Sequence, residues 1–366
     1  MLADADVAQA TGLCGGDETA ARAEMSFNGV RRWPGQKHTY AALDLGTNNC
    51  RLLIARATPA AGGQDGFRVI DSFSRIVRLG EGLSRTGELS AAAIERTLGA
   101  LEICRDKMRA RGVTRARLIA TEACRSASNS AEFLAKVRDA TGLELEIVDR
   151  ETEARLAAAG SASLIDSAAE SAVLFDIGGG SSELVWLARA ASSSTQPADM
   201  GLDERIRFWV SLKLGVVTLA EEFGGNEVSS ATFEAMVDHV VPELESFVAM
   251  AGGERRGRHF HLLGTSGTVT TIAGVFLGLA RYERRRVDGL WMSSCQVDHT
   301  VAILRKMTFA ERAANGCIGQ ARADLVLAGC AILEAIRRVF PAERIRIADR
   351  GLRDGILIQL MSEDRL

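Results

Sequence analysis

The sequence predicts an α/β protein made of two similar domains that face each other across a cleft of phosphate size. Segments 40–54 and 172–185 support this prediction, because each places one Asp, an apolar residue and a Gly between two apolar runs. That pattern is typical of a β-hairpin with a functional tip. Asp44 and Asp176 are separated by about the span of one domain. A chain of 366 residues with 47% hydrophobic residues can bury two cores.

Three strands followed by alternating helices and strands are predicted for the first half of the chain. In order, these are a hairpin over 39–57, a strand over 68–79, a helix over 90–111, a strand over 117–121, a helix over 130–141, a strand over 143–148 and a helix over 150–160. Ser90 is a typical N-cap, and Gly142 is a typical helix terminator. The order of elements resembles a ribonuclease-H-like unit, so residues 39–160 are predicted to form the first domain.

The second half repeats this order with additions, which indicates duplication of one fold. Its predicted elements are a hairpin over 172–187, a polar surface loop over 189–203, a strand over 208–219, helices around 231–250, a strand over 259–263 that leads into a turn and a helix, a strand over 344–348 and a final helix that starts within 349–355. Residues 161–366 are therefore predicted to form the second domain. The last helix, from about residue 351, is expected to pack back on the first domain, and residues 1–38 are expected to form a disordered tail.

The amino-acid composition favours one cellular compartment and disfavours some classes of partner. The formal net charge is −3, so no overall field attracts the protein to nucleic acid or to a membrane, and neither partner is expected. The 7 cysteines are odd in number and form no C-x-x-C pair, which favours a reducing cytoplasm over a zinc or disulfide framework. Residues 1–38 lack the basic and apolar regions of a signal peptide. Residues 262–280 are uncharged, but their Gly, Ser and Thr content favours a strand, a turn and a buried helix over a membrane span.

The tips of the two hairpins have the composition of an anion-binding loop. Small residues let backbone N–H groups surround an anion, hydroxyl groups add donors, and a nearby Asp can face a divalent cation that neutralises phosphate. Arg supplies most of the 44 basic residues, and its planar fork matches pairs of phosphate oxygens. The overall Arg count is attributed to coding bias in a GC-rich genome, so only particular arginines are functional candidates.

Six motifs occur in the order seen in one protein family. They are Asp44-Leu-Gly-Thr-Asn-Asn, Thr121-Glu-Ala-Cys-Arg-Ser-Ala-Ser-Asn, Glu151-Thr-Glu-Ala-Arg-Leu, Asp176-Ile-Gly-Gly-Gly-Ser-Ser-Glu, Gly264-Thr-Ser-Gly-Thr and Gly351-Leu-Arg-Asp-Gly. From about residue 39 to its end, the chain therefore resembles the exopolyphosphatase and guanosine pentaphosphate phosphohydrolase family. That family belongs to the superfamily of actin, sugar kinases and heat-shock chaperones. The resemblance implies two duplicated ribonuclease-H-like domains with an interdomain phosphate-binding cleft, as in actin-like ATPases.

The resemblance assigns chemistry to four carboxylates. Asp44, Asp176 and Glu183 are implied ligands of Mg²⁺ or Mn²⁺. Asp176 and Glu183 lie seven residues apart across a hairpin turn, so both can face a metal over the phosphates; the alternative is a turn-stabilising Asp and an exposed strand Glu. Glu153 aligns with the family's catalytic glutamate, which positions or deprotonates the attacking water. By pattern alone, Glu151 and Glu153 would merely complement the dipole of a helix start.

The resemblance also implies which residues hold phosphate. The implied phosphate-binding residues are Gly46, Thr47, Asn48, Gly178, Gly179, Gly180, Ser181, Ser182, Thr265, Ser266 and Gly267. Arg125 lies at a predicted strand-to-helix turn, where it is expected to hold one phosphoryl group with nearby helical N–H groups. The alternative is a surface Arg that pairs with Glu122 or Glu132. Arg125 is thus a catalytic candidate beside Glu153.

Basic residues outside these motifs suggest a track for a longer substrate. Arg75, Arg78 and Lys213 are the predicted contacts of a polyphosphate chain beyond its scissile phosphate. The arginine run 284–286 is a further candidate, although a solvated face is favoured for those three residues.

The function expected from these residues is release of terminal orthophosphate from inorganic polyphosphate by direct attack of water. Guanosine pentaphosphate is the alternative substrate, because both molecules present a terminal phosphoanhydride to the same loops. A kinase or ATPase that binds adenine near the turn at Gly264, and a non-catalytic sensor, are weaker alternatives. Longer family members carry a further helical, HD-type region, and without it we expect only a moderate preference for long chains. Whether the protein forms a homodimer stays open.

Overall fold

The first half of the protein is built around a mixed sheet of five strands. The computed structural model describes residues 38–61, 64–188, 202–250 and 257–364. The strands of the first sheet are β1 (Thr39–Leu45), β2 (Asn49–Ala61), β3 (Gln64–Ile76), β4 (Arg115–Ala120) and β5 (Glu146–Ile147). They lie in the order β3-β2-β1-β4-β5, in which β2 is antiparallel to both β1 and β3 while β4 is parallel to β1. The central strand therefore begins the hairpin that the sequence predicts.

The helices of the first half flank this sheet. They are α1 (Leu83–Thr86), α2 (Ala91–Ala110), α3 (Glu122–Ser126), α4 (Ser130–Thr141) and α5 (Arg150–Ser161). Their ends follow the local sequence. The Ser90 hydroxyl accepts a hydrogen bond from the Ala93 amide (3.2 Å) at the start of α2, and Gly142 has a left-handed φ of 69° at the end of α4. At the start of α5, the Asp149 carboxylate accepts from the Thr152 amide at 2.7 Å.

The second half contains a six-stranded sheet. Its strands are β6 (Ser171–Ile177), β7 (Ser182–Ala188), β8 (Ile206–Leu212), β9 (His261–Thr265), β10 (Trp291–Ser293) and β11 (Arg344–Ile347), in the order β10-β11-β9-β6-β7-β8. The helices that follow or intervene are α6 (Leu202–Arg205), α7 (Val216–Phe223), α8 (Ser230–Met250), α9 (Ser266–Phe276), α10 (Arg284–Val287), α11 (Ser294–Lys306), α12 (Phe309–Ala314), α13 (Val326–Val339) and α14 (Leu352–Glu363). As in the first sheet, the hairpin β6–β7 is antiparallel, and a later strand, β9, runs parallel to β6. The predicted α/β fold with two similar halves is confirmed.

Some predicted elements differ from the structure. The strand predicted over 208–219 ends at Leu212, and α7 begins at Val216. The two valines after Gly215 favour a strand by their intrinsic preference. The chain nevertheless turns at Gly215, because this residue packs against the second hairpin tip, where an added Cβ would overlap the Gly179 carbonyl group. The strand predicted over 143–148 is reduced to Glu146–Ile147. Most of the loop predicted over 189–203, and the predicted tail except its last residue, lie outside the described residues.

Residues 262–280, which are uncharged in the sequence, form most of β9 and all of α9. Between them the chain turns at Ser266, as the Gly-Thr-Ser-Gly-Thr sequence predicts. Among the helices of the described ranges, none combines the length and hydropathy that crossing a bilayer requires.

The last helix, α14, joins the core of the first half although it follows the second sheet in the chain. Its side chains Ile356 and Leu357 pack with Tyr40, Ala42 and Leu53 of β1 and β2. The two ends of the chain's described part therefore meet in one apolar cluster. This packing fixes α14 against the sheet that carries the first hairpin tip.

Helices α5 and α14 cross with their backbones in contact. A Cβ added at Gly160 would overlap the Gly351 carbonyl oxygen, and a Cβ added at Gly355 would overlap the Leu156 carbonyl oxygen. Only Gly lets two backbones approach this closely, so both positions require it. The crossing brings the start of α14 to the space between the two sheets.

Candidate functional site

A cavity of about 530 Å³ lies between the two halves of the protein. The tips of both hairpins, the turn between β9 and α9 and the start of α14 line it. The tips meet closely: a Cβ added at Gly180 would lie 2.6 Å from the Thr47 hydroxyl oxygen, and one added at Gly179 would lie 3.1 Å from the Asn48 nitrogen. A cavity of this size accommodates a small ligand.

Antiparallel pairing fixes which side chains the two hairpins present. Asp44 lies opposite Arg51 across β1 and β2, and Asp176 lies opposite Glu183 across β6 and β7. Directly opposite residues share one face of a sheet, and all four of these side chains line the cavity. Glu153, in the first turn of α5, lines the same cavity. The sheets and α5 thus bring together the four carboxylates that the sequence singled out.

Burial controls the charge of these four carboxyl groups. It raises the pKa of Asp44, although two neighbouring arginines oppose it. It raises the pKa of Asp176 to about 6 and the pKa of Glu153 to about 7. Burial, followed by the like charges of Glu153 and Asp176, raises the pKa of Glu183 well above its usual value. Each group therefore favours a proton or a positive partner.

The carboxylates fit a cation that keeps part of its water shell. Mg²⁺ prefers oxygen ligands and is usually held by one or two carboxylates together with substrate phosphates. Within the described ranges, no three acidic, His or Cys side chains converge as an all-protein metal cage would require. The opposed pair of Asp176 and Glu183 suits this type of site, and the Ser211 hydroxyl fixes Glu183 by donating to it at 2.9 Å.

Arginines supply positive charge to the same cavity. The arginines in its wall are Arg51, Arg284, Arg322, Arg350 and Arg353. Arg284 pairs with Asp349 and Asp354, and Arg350 pairs with Asp288.

Three of these arginines, Arg51, Arg322 and Arg353, have no carboxylate partner among the residues that the structure describes. Arg322 reaches the Thr271 hydroxyl at 3.5 Å, whereas the guanidinium groups of Arg51 and Arg353 make no hydrogen bond within the described ranges. Burial, followed by the charge of Arg51, lowers the pKa of Arg353 and outweighs the opposite effect of Asp354, Asp44 and Asp349. Unpaired guanidinium groups in a cavity attract anions with paired oxygens, such as phosphate.

Some backbone and polar groups of the hairpin tips are hydrogen-bonded within the protein, and at least one buried polar atom is not. The Gly46 and Gly178 amides donate to the Asn49 and Ser181 carbonyls at 2.9 Å, which closes the two turns. The Asn48 Oδ1 atom is buried and accepts no hydrogen bond from the described part of the chain. A buried polar atom without a partner indicates a place for a water or a ligand group.

Most of the predicted phosphate-binding residues line the cavity. These are Gly46, Thr47, Asn48, Gly178, Gly179, Gly180, Ser181, Thr265, Ser266 and Gly267. Ser182 does not line it, because the side chain is buried and its hydroxyl donates to the Leu214 carbonyl at 2.8 Å. Consecutive strand residues point to opposite faces, so Ser182 faces away when Glu183 faces the cavity. Instead of facing the predicted phosphate site, the Ser182 side chain links β7 to the segment before α7 through this hydrogen bond.

Arg125 lies behind Glu153 and outside the cavity wall. Its Nη2 donates to Glu153 Oε2 at 2.7 Å and to Glu122 Oε2 at 2.9 Å, and its Nη1 donates to the Val148 carbonyl at 2.7 Å. The pairing with Glu122 was one of the alternatives left by the sequence. The bond to Glu153 was not predicted, and it makes Arg125 a partner of that carboxylate.

The three residues predicted to guide a long chain lie outside this cavity. Arg78 pairs with Asp324 of the second half at 2.9 Å, which joins the two sides of the cleft. Arg75 is exposed, with its guanidinium 5.3 Å from the centre of the Phe73 ring. Lys213 is exposed as well. A role for these residues requires a substrate that extends beyond the cavity.

The arginines of the cavity wall were not among the predicted site residues. Arg284, which was expected on a solvated face, instead reaches Asp349 and Asp354 in the cavity. The hairpin register was the signal that could have placed Arg51 opposite Asp44. No local signal places Arg284, because its position depends on packing between distant segments.

Comparison with known proteins identifies the family to which the chain belongs. The sequence profile of the Ppx/GppA phosphatase family matches residues 53–364. The chain belongs to the Ppx/GppA phosphatase family. This Ppx/GppA chain is 28% identical over 334 residues to Exopolyphosphatase 2 of Mycobacterium tuberculosis, with coverage of 87% of this chain and 98% of that protein. The resemblance noted from the sequence is therefore confirmed.

Other relatives of this Ppx/GppA chain carry a different name. Guanosine-5'-triphosphate,3'-diphosphate pyrophosphatase of Aeromonas hydrophila is 28% identical over 326 residues, which are 89% of this chain and 60% of that longer protein. The crystal structure of the Ppx/GppA family member of Aquifex aeolicus matches with a TM-score of 0.70 at 25% identity, covering 90% of this chain and 100% of that chain. The family fold therefore extends over both halves.

Proposed function

We propose that this chain is an exopolyphosphatase that releases terminal orthophosphate from inorganic polyphosphate. The observation that carries the proposal is a single cavity with buried carboxylates beside the unpaired guanidinium groups of Arg51 and Arg353. A neutral or cationic substrate would leave those guanidinium groups without a counterion, whereas a polyanion supplies one. The name of the M. tuberculosis relative supports the same substrate.

Glu153 is the proposed general base. Its side chain is 12% exposed, and a pKa raised by burial to about 7 suits a group that accepts a proton near neutral pH. Phosphoanhydride hydrolysis passes through a loose transition state, so catalysis rests mainly on orienting the water and stabilising phosphate charge. In this proposal Glu153 orients the water, while the hairpin tips and the unpaired arginines hold the phosphoryl oxygens.

Asp44, Asp176 and Glu183 would hold Mg²⁺, or Mn²⁺ in its place. The bound cation would supply charge neutralisation at the phosphates. The raised pKa values of Asp176 and Glu183 support this assignment, because a cation keeps clustered carboxylates ionised. Asp44 already has Arg51 nearby, so its contact with the metal is expected to run through water.

Guanosine pentaphosphate, cleaved at its 5′ γ-phosphate, is the second candidate substrate. Phe73 and Tyr282 line the cavity and offer aromatic faces of the kind on which a base stacks. The Tyr282 hydroxyl donates to Asp349 at 2.6 Å, which holds the ring in place. An aromatic slot favours a guanine ring, whereas a basic groove favours polyphosphate.

The cytoplasm is the proposed compartment of this activity. Within the described ranges the cysteines are free thiols, and most of them are buried. Free thiols fit the reducing conditions of the cytoplasm, where disulfide bonds are rare.

A phosphate-release assay tests the proposal with long polyphosphate, tripolyphosphate, ATP and guanosine pentaphosphate. We expect release from long polyphosphate, and we expect Glu153→Gln to lower kcat by roughly 10²–10⁴-fold while binding is retained. Glu151→Gln is the matched control, because Glu151 lies in the same helical turn but pairs with Arg155 at the surface (3.0 Å). Its kcat should equal that of the wild type.

Two outcomes would contradict parts of this proposal. Equal turnover by Glu153→Gln and the wild type would remove Glu153 from the mechanism. Release from guanosine pentaphosphate alone would select the second substrate and reject the first.

A further inference from the structure

Glu122 is a buried carboxylate next to the candidate active site that does not line the cavity. Its residue is 6% exposed, and it lies in the short helix α3. Ser126 Oγ donates to its Oε1 at 2.7 Å, Arg150 Nη2 donates to both oxygens at 2.9 and 3.0 Å, and Arg125 donates to Oε2 through Nη2 at 2.9 Å. Every one of these donors comes from α3 or from the start of α5.

These bonds keep Glu122 charged. Burial alone would raise the pKa of Glu122, but the hydrogen bonds from Ser126, Arg125 and Arg150 outweigh it and lower that pKa. Glu122 therefore favours its charged form, which can anchor a guanidinium group. Glu153, which shares Arg125 with it, is the more weakly bonded of the two carboxylates.

The planar guanidinium of Arg125 contacts both Glu122 and Glu153, so Glu122 can fix the direction of the bond to Glu153. Its Nη1 is fixed by the Val148 carbonyl, and its Nη2 donates both to Glu122 and to Glu153 Oε2 (2.7 Å). A planar group that is held at two edges has no freedom to rotate, so the third contact is fixed in direction. Removal of Glu122 leaves the plane held by Val148 and Glu153 alone.

We propose that Glu122 is a positioning residue that, through Arg125, holds the Glu153 carboxylate in the orientation from which it acts on water. This inference rests on the proposed function, in which Glu153 is the base. Misplacement of a reacting group by about 1 Å can reduce a rate by about 10²-fold. A residue that only stabilises the fold would not act on the rate through Glu153.

The double-mutant cycle of Glu122→Gln and Glu153→Gln tests this inference. In the wild-type background, Glu122→Gln should lower kcat for phosphate release by about 10–100-fold and change KM by less than about twofold. In the Glu153→Gln background the same substitution should have no further effect, because the residue on which it acts is already lost. Additive losses in kcat would overturn the inference, and so would an unchanged kcat of Glu122→Gln.

Glu146→Gln is the matched control. Glu146 also accepts two hydrogen bonds from one arginine, Arg117, both at 2.9 Å, but it lies on an exposed edge strand. Its kcat should equal that of the wild type.

Ser126→Ala keeps the test valid if Glu122→Gln does not fold. This substitution removes one 2.7 Å donor to Glu122 and leaves both carboxylates in place. We expect a drop in kcat of about two- to fivefold that also disappears in the Glu153→Gln background. A drop of the same size in both backgrounds would overturn the inference.

A crystal structure of Glu122→Gln separates this inference from the proposed function. Absence of phosphate release by the wild type would reject the proposed function, and the structure would still decide the positioning role. A broken or displaced Arg125–Glu153 bond in the variant supports the role. A bond that is unchanged from the 2.7 Å of the wild type overturns it.

Discussion

The two hairpins have the same register, but the residue pairs that they present to the cavity differ in charge. In the first hairpin, Asp44 faces Arg51 across the strand pair; in the second, Asp176 faces Glu183. Each Asp is the second-to-last residue of an inner strand of its sheet, and both hairpins point into one cavity. The duplicated unit therefore pairs an Asp with an Arg in one copy and an Asp with a Glu in the other, and Arg51 also opposes the effect of burial on the pKa of Asp176 from across the cavity.

This difference assigns separate tasks to the two halves. Arg51 opposes the effect of burial on the pKa of Asp44, whereas no arginine is among the main influences on Glu183. The second hairpin thus gains most from a bound cation, and the first hairpin can offer Arg51 to a phosphate. Three changes would break or sharpen this contrast.

The largest effect is expected from the second hairpin. Glu183→Gln removes one anionic oxygen from the proposed metal site, so the Mg²⁺ concentration for half-maximal phosphate release should rise by about 100-fold. Glu170→Gln is the control, because Glu170 precedes β6 and pairs with Arg258 at 3.4 Å on the surface. An unchanged Mg²⁺ requirement in Glu183→Gln would contradict the assigned metal role.

A smaller effect, on a different quantity, is expected from the first hairpin. Arg51→Gln removes a charged donor to phosphate, so KM for polyphosphate should rise by about 10-fold while the Mg²⁺ requirement stays the same. Arg56→Gln is the control on the same strand, where Arg56 is exposed and donates to the Thr39 hydroxyl at 3.3 Å. A shift in the Mg²⁺ requirement of Arg51→Gln without a rise in KM would show that Arg51 acts on the metal site and not on phosphate.

The smallest effect concerns stability of the metal-free protein. The pKa of Asp176 rises from 3.8 to about 6 and that of Glu153 from 4.5 to about 7. The folded protein therefore binds these protons more tightly than the unfolded chain, and the resulting stability is lost as the pH rises through the folded pKa values. We expect Tm to fall by several degrees between about pH 4 and about pH 7.

Mg²⁺ and Asp176→Asn provide the checks on this last expectation. Saturating Mg²⁺ should restore Tm near neutral pH, because it replaces the lost protons as the positive partner. Asp176→Asn should flatten the dependence of Tm on pH, since an amide does not titrate. A Tm that rises over this pH interval in the metal-free wild type would show that the buried carboxyl groups do not dominate.

The hairpins were predictable because their pattern is local. An apolar run, an Asp, a Gly and a second apolar run define both strands and the turn, and the register follows from the turn length. The same local information could have excluded Ser182 from the phosphate site, since it neighbours Glu183 on one strand and must face the other way.

Long-range packing explains what the sequence did not predict. The strand predicted beyond Leu212 stops because Gly215 packs on Gly179, a contact between segments that are distant in the chain. Arg284 enters the cavity because Asp349 and Asp354 attract it from another helix start. The bond between Arg125 and Glu153 depends in the same way on how α3 meets α5.

The position of α14 has a consequence for biosynthesis. Tyr40, Ala42 and Leu53 of the first sheet are covered by Ile356 and Leu357, which are translated only after every strand of the second sheet. This apolar sheet face therefore stays open to water while the ribosome makes the second half. Contacts of such large sequence separation also form slowly, because a long loop must close first. The N-terminal domain, which in many proteins folds first during synthesis, here completes its core only after the strands of the second sheet have been made.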